Sequence, residues 1–98
     1  MDLGLKDKVA LVAAASRGLG KAAALALAQE GAAVAVCSRS ERILAAADEI
    51  QRQTGSPALA VVADLTVPND CNRFVAEALA RFGQIDILVL NAGGPPPG

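Results

Sequence analysis

Four short apolar runs, separated by segments with the pattern of a helix, constrain this chain more than any other feature. The runs contain a single charged residue, Asp86, and such runs are typical of strands buried on both faces of a sheet. Strands that alternate with helices predict an α/β fold with a parallel sheet and right-handed crossovers. The four runs are residues 9–15, 33–37, 58–63 and 85–90.

The intervening segments carry helix signals. Residues 18–30 are rich in Ala and Leu. Ser40 is expected to cap the second helix. Thr66 is expected to cap a third helix, which begins near Pro68 and ends before Gly83. The helix faces expected to be buried are formed by Ile43, Ala46, Ala47 and Ile50 and by Phe74, Val75, Ala78, Leu79 and Phe82.

The order βαβαβαβ predicts one sheet without an internal boundary, so we expect residues 1–98 to form a single domain. The handedness of the crossovers places the first two helices on one face of the sheet and the third helix on the other. That second face is therefore expected to be partly uncovered. The fourth strand is expected to form an apolar edge of the sheet.

Composition excludes several kinds of site. Nine basic residues against ten acidic ones give a net charge of −1, which leaves no basic excess for nucleic acid or an anionic membrane. His and Tyr are absent, so histidine metal ligands, Ser-His triads and a tyrosine acid are excluded within these 98 residues. Cys37 and Cys71 are too few for a zinc site and are expected to be reduced core residues. No apolar run reaches the ~18 residues of a membrane span, and we expect a cytoplasmic protein.

The first strand leads into a turn of small residues, residues 13–21 (AAASRGLGK), and then directly into a helix. Small residues let the backbone approach a ligand, and the helix N-terminus offers N–H groups to a pyrophosphate. Close packing of the helix on the strand explains Gly18 and Gly20 equally well. The turn alone therefore does not decide between these two interpretations.

Three landmarks in order resemble the short-chain dehydrogenase/reductase family, and within it the β-ketoacyl-carrier-protein reductases. Residues 12–20 resemble the family's opening Val-Thr-Gly-Ala-Ser-Arg-Gly-Ile-Gly. Asp64 matches the family's adenine-binding acid, and residues 91–93 match the end of its Asn-Asn-Ala-Gly motif. The resemblance spans residues 8–94.

The resemblance implies a Rossmann-type, doubly wound sheet that is truncated after the fourth strand. It implies an oxidoreductase that reduces a carbonyl, such as a 3-oxoacyl thioester, by hydride transfer from a nicotinamide cofactor. The full-length protein is then expected to be a homo-oligomer, a tetramer or dimer. The cofactor-binding residues that the resemblance implies are Ala14, Ser16, Arg17, Gly18, Leu19, Gly20, Asp64, Leu65, Asn91, Ala92 and Gly93.

The residues at the tip of the second strand predict NADPH rather than NADH. Dinucleotide-binding folds that select NAD place an acid there to bind the ribose 2′-hydroxyl. This chain has Ser38, Arg39 and Ser40 instead. Arg39 can form charge-assisted hydrogen bonds to a 2′-phosphate, with the two serines as further donors, and Arg17 could reach the same group. A solvated arginine at a strand end remains the alternative for Arg39.

The chain departs from the family pattern at three positions, and these changes indicate a divergent subgroup. Ala13, Ala14 and Leu90 stand where the family has Thr, Gly and Asn. The family's catalytic Ser, Tyr and Lys follow the segment that this chain resembles, and we assign no catalytic or metal-binding residue here. A non-catalytic dinucleotide-binding module and a vestigial fragment that binds another chain remain alternatives. Asp64 could equally end a strand, and Ala92 with Gly93 could equally form a sharp turn.

Overall fold

The computed structural model describes residues 4–13 and 18–90 of the chain. Strands and helices alternate through these two segments, which confirms the predicted α/β order. The elements are β1 (Val9–Ala13), α1 (Gly18–Gln29), β2 (Ala33–Ser38), α2 (Arg42–Thr54), β3 (Ala58–Val62), α3 (Pro68–Phe82) and β4 (Ile87–Leu90).

All strand pairs are parallel, and the order across the sheet is β3-β2-β1-β4. Val12 of β1 lies opposite Val36 of β2 on one side and Val89 of β4 on the other. The chain moves outward from β1 to β3 and then returns to the far side of β1. The point of reversal lies between β1 and β4, where sheets of this kind form a crevice at the carboxyl ends of their strands.

Helices α1 and α2 cover one face of the sheet. Ala24 and Ala28 are buried in α1, and their small side chains allow this helix to lie close to the strands. The Lys21 ammonium of α1 forms an ion pair with the Glu49 carboxylate of α2, which joins the two helices. The buried cluster on this face contains Ala10, Val12, Ala24, Ala28, Val34, Val36, Ile43, Ala46, Ala47 and Ile50.

Helix α3 covers the other face only in part. Phe74 and Ala78 are buried, but Val75 and Leu79 are 40% and 43% exposed, so the predicted five-residue buried stripe is wrong at these two positions. The reason is the edge position of β4, since α3 meets mainly β2 and β3 and leaves the face of β4 open. Leu88 and Leu90 of β4 are exposed, as expected for a partly uncovered face.

The ends of the helices confirm two expectations and correct two others. Pro68 begins α3, and Gly83 ends it in the left-handed conformation that glycine favours. Ser40 is not the N-cap of α2, which is Glu41, although the Ser40 hydroxyl still accepts the Arg42 N–H.

Thr66 is not the cap of α3, because Val67 takes that position. The Thr66 hydroxyl instead donates to the Asp64 carboxylate. The observed bounds of the elements otherwise differ from the predicted ones by one or two residues, and residues 14 and 15 of the predicted first strand lie outside the described residues. None of the helices described here is long and apolar enough to cross a membrane.

Asp86 joins β4 to β1 at the amino edge of the sheet. Its Oδ2 accepts the Val9 N–H at 2.8 Å, and its own N–H donates to the Val9 carbonyl at 2.9 Å. The Val9 N–H, the Gln84 side chain and the charge of Lys8 lower the pKa of Asp86 below its ordinary value of 3.8. The strand expected over residues 85–90 begins only at Ile87, after these two hydrogen bonds.

Protonating Asp86 should weaken the start of the β1–β4 pair. Since the folded-state pKa is lowered, the stabilisation is present above the ordinary pKa and is lost as the pH falls through the folded pKa. A pH titration followed by NMR should show the Val9 amide shift changing with a midpoint below 3.8. Asp86→Asn should abolish this titration. A Val9 shift that changes at or above 3.8 would contradict the assigned hydrogen bond.

Candidate functional site

The carboxyl ends of the four parallel strands lie at one edge of the sheet, and α1 begins at the same edge. The site residues predicted from the sequence follow β1, β2, β3 and β4 in turn, so the described ones are brought to this edge. The structure describes the backbone of Gly18 and Leu19 and the whole of Gly20, Ser38, Arg39, Ser40, Asp64 and Leu65, whereas Ala14, Ser16, Arg17, Asn91, Ala92 and Gly93 lie outside the described residues.

The first turn of α1 contains Gly18, Leu19 and Gly20 and carries no acidic residue. The N–H groups at the start of a helix have no partner within the helix, and the aligned peptide dipoles make this end positive. Gly20 is buried, so other parts of the chain pack closely against the start of this helix. This end of α1 therefore provides an electrostatic environment that suits a phosphate group.

The turn after β2 is shaped by its two serines. The Ser38 hydroxyl donates to the Ser40 carbonyl at 3.1 Å and accepts the Ser40 N–H at 3.2 Å. These bonds hold the backbone on either side of Arg39, whose side chain is exposed. In the described part of the chain Arg39 forms no ion pair closer than 4.0 Å, so its guanidinium is available to an anion.

Asp64 lies at the end of β3 in a tight turn closed by Thr66. Its Oδ1 accepts both the Thr66 N–H at 2.9 Å and the Thr66 hydroxyl at 2.7 Å. The Thr66 hydroxyl, then the Thr66 N–H, and finally the charge of Arg39 lower the pKa of Asp64 below its ordinary value. The carboxylate is thus ionised at neutral pH, and Oδ2 accepts no hydrogen bond from the described residues.

The ends of β2 and β3 are joined directly. The Ala63 N–H donates to the Ser38 carbonyl at 2.9 Å, and Arg39 is near enough to Asp64 to affect its pKa. Arg39 and the ionised Asp64 carboxylate therefore follow neighbouring strand ends. Such a pair suits a ligand that carries both a phosphate and N–H donors.

Two residues that the sequence analysis did not single out contact this turn from α3. Asp70 accepts the Asp64 N–H through Oδ2 at 2.8 Å. Arg73 donates to the Val62 carbonyl at 2.7 Å and lies 3.6 Å from Asp70 Oδ1. The Asp-x-Thr spacing of residues 64–66 is a sequence signal for the turn itself. An acid in the first turn of a helix is common for electrostatic reasons alone, and so gave no sign of Asp70's contact.

Comparison with known proteins gives a consistent family relationship. The family described as short chain dehydrogenase matches residues 8–98. An uncharacterized oxidoreductase from Mycobacterium tuberculosis is 44% identical over 93 residues, which cover 95% of this chain and 35% of the relative.

Two solved structures extend the comparison to the fold. L-Sorbose reductase from Gluconobacter frateurii, complexed with NADPH and L-sorbose, is 34% identical with a TM-score of 0.94, over 100% of this chain and 38% of that one. An alcohol dehydrogenase from Thermococcus sibiricus, complexed with 5-hydroxy-NADP, is 35% identical with a TM-score of 0.79, over 83% and 35% of the two chains. This chain therefore spans somewhat more than a third of the length of such relatives.

Proposed function

Since this chain belongs to the short chain dehydrogenase family, we propose that it is the NADPH-binding part of an oxidoreductase that reduces a carbonyl group. The observation that carries this proposal is the hydrogen bond from the Ala63 N–H to the Ser38 carbonyl, which brings Arg39 and Asp64 to neighbouring ends of β2 and β3. One residue offers a cation for a 2′-phosphate, and the other offers an acceptor for the adenine amino group. Two relatives of known structure are complexed with NADPH and with 5-hydroxy-NADP, which supports the cofactor class.

The described residues fit a phosphorylated dinucleotide at three points. The first turn of α1 has no acid that would repel a pyrophosphate. Arg39 is exposed, and no carboxylate stands at the tip of β2 to compete for it or to favour a 2′-hydroxyl. Asp64 is ionised and has a carboxylate oxygen without a hydrogen bond from the described residues. These three groups would hold the pyrophosphate, the 2′-phosphate and the adenine.

The cofactor, when bound, supplies the hydride that reduces the carbonyl carbon. The described residues of this chain bind and orient the cofactor, and we assign none of them a proton-transfer step. We propose that Ala14, Ser16 and Arg17 complete the pyrophosphate side and that Asn91, Ala92 and Gly93 border the nicotinamide side. In the full-length protein, the catalytic Ser, Tyr and Lys of a 3-oxoacyl reductase would follow, in a cytoplasmic homo-oligomer.

Calorimetric titration of the purified chain with NADPH and NADH tests the proposal. We expect NADPH to bind at least tenfold more tightly, because one hydrogen bond between charged groups contributes about 1.5–3 kcal/mol. NADH as the tighter ligand would contradict the assignment of Arg39. A folded sample that binds neither cofactor would overturn the proposal in favour of an interaction fragment, for which the exposed Leu88 and Leu90 would be the contact surface.

A further inference from the structure

We infer that Asp70 and Arg73 of α3 are positioning residues for Asp64, and that they set the preference of this site for an amino-bearing purine. The inference rests on the proposed function, since it assumes that Asp64 accepts a hydrogen bond from the base. Asp70 and Arg73 bind the backbone of Val62 and Asp64, and the inference assigns them no contact with the ligand.

The turn at Asp64 lies at an exposed edge of the sheet. β3 is the edge strand next to β2, and the Ala63 N–H donates inward to Ser38. Backbone groups of successive residues point to opposite sides of a strand, so the Val62 carbonyl and the Asp64 N–H face outward. Without further partners, both groups would bond only to water and the strand end could change its conformation.

Asp70 and Arg73 bind these two outward groups. The Asp70 carboxylate accepts the Asp64 N–H, and the Arg73 guanidinium donates to the Val62 carbonyl, at 2.8 and 2.7 Å. The two side chains lie one helical turn apart and form an ion pair at 3.6 Å. Both hydrogen bonds involve an ionised partner, which makes them stronger and shorter than bonds between neutral groups. The strand end is therefore fixed to the first turns of α3.

The side chain of Asp64 is held by Thr66, whose N–H and hydroxyl both donate hydrogen bonds to Oδ1. With the backbone N–H held by Asp70 and Oδ1 held by Thr66, Oδ2 is the oxygen of Asp64 that accepts no hydrogen bond from the described residues and can accept a donor from a ligand. The amino group of adenine is such a donor. The oxo group of hypoxanthine carries lone pairs instead and would face the carboxylate, so the turn should reject it.

A role in stability alone is the competing explanation. An acid in the first turn of a helix is favourable at the positive end of the helix, and an arginine across an edge strand protects that edge. Losing either effect would weaken the fold without changing the ratio of the affinities for the two bases. The measurement that separates the two explanations is therefore the ratio of the affinities for the two bases, and not the affinity for either base alone.

The experiment measures the dissociation constants of NADPH and of its hypoxanthine analogue, which differ only at the base. For the unchanged chain we expect NADPH to bind roughly tenfold or more tightly, the effect of one hydrogen bond to a charged group. In Asp70→Ala the ratio should fall to about threefold or less, because Asp64 is no longer held. In Arg73→Met, which keeps Asp70, the ratio should fall by a smaller factor. This variant also keeps the test valid if Asp70→Ala does not fold.

Asp48→Ala is the matched control. Asp48 is an exposed carboxylate on α2, and its ion pair with Arg52 at 3.1 Å involves neither Asp70 nor Arg73. It should leave the ratio unchanged. An undiminished ratio in the folded Asp70 and Arg73 variants would overturn the inference and leave the proposed function intact. Equal binding of both ligands by the unchanged chain would also overturn it, whereas binding of neither would contradict the proposed function itself.

Discussion

Arg39→Asp should weaken NADPH binding by at least tenfold and leave NADH binding within about twofold. The guanidinium offers charge-assisted hydrogen bonds to a 2′-phosphate, and such a bond contributes about 1.5–3 kcal/mol. A carboxylate at this position repels the phosphate, but it can accept a hydrogen bond from the 2′-hydroxyl of NADH. The backbone on both sides of Arg39 is held by hydrogen bonds between Ser38 and Ser40, so the exposed side chain can be exchanged without moving the turn.

Arg81→Asp is the matched control for this experiment. Arg81 is exposed, lies in the last turn of α3 at the opposite edge of the sheet, and gives the same change in net charge. It should leave both affinities unchanged. Equal losses for NADPH and NADH in Arg39→Asp would contradict the assignment of Arg39 to the 2′-phosphate. Calorimetry with each cofactor gives both constants.

Ile50→Ala should lower the free energy of unfolding by about 2–5 kcal/mol, the range for removing a large aliphatic side chain from a packed core. Ile50 is fully buried and belongs to the cluster of Ala, Val and Ile side chains that packs α1 and α2 on the sheet. Folded proteins have a total free energy of unfolding of only about 5–15 kcal/mol, so this loss would be a large share of it. The melting temperature should fall by roughly 10 °C or more.

Leu44→Ala on the same helix is the control, since Leu44 is 54% exposed. Its effect should stay within about 0.5 kcal/mol. Thermal and urea unfolding followed by circular dichroism would measure both variants. Equal effects of the two substitutions would show that α2 does not pack on the sheet with Ile50 inward.

Most of the fold was predictable because its signals are local. A continuous apolar run predicts a strand buried on both faces, and β1 and β2 are nearly inaccessible throughout. The alternation of strands and helices then restricts the topology to a parallel sheet with one handedness. Gly83 and Pro68 fixed the ends of α3 by their own backbone preferences.

The predictions failed where a partner from elsewhere in the chain decided the outcome. Val75 and Leu79 have the spacing of a buried stripe, yet they are exposed because no described element covers the face next to β4. Thr66 has the chemistry of a helix cap, but the Asp64 carboxylate is a closer and charged partner for its hydroxyl. Spacing shows which residues share a face and cannot show what that face meets.

The amino-acid sequence is enough to predict the order of the strands and helices, the family resemblance, and the candidate residues Arg39 and Asp64. These depend on residue type and on neighbours a few positions away. The folded structure is needed to show that Arg39 and Asp64 lie on adjoining strand ends and that Asp70 and Arg73 hold the Asp64 turn. Hydrogen bonds between a strand end and a helix side chain depend on how the helix is placed against the sheet. That placement follows from the packing of the whole core, which no local pattern specifies.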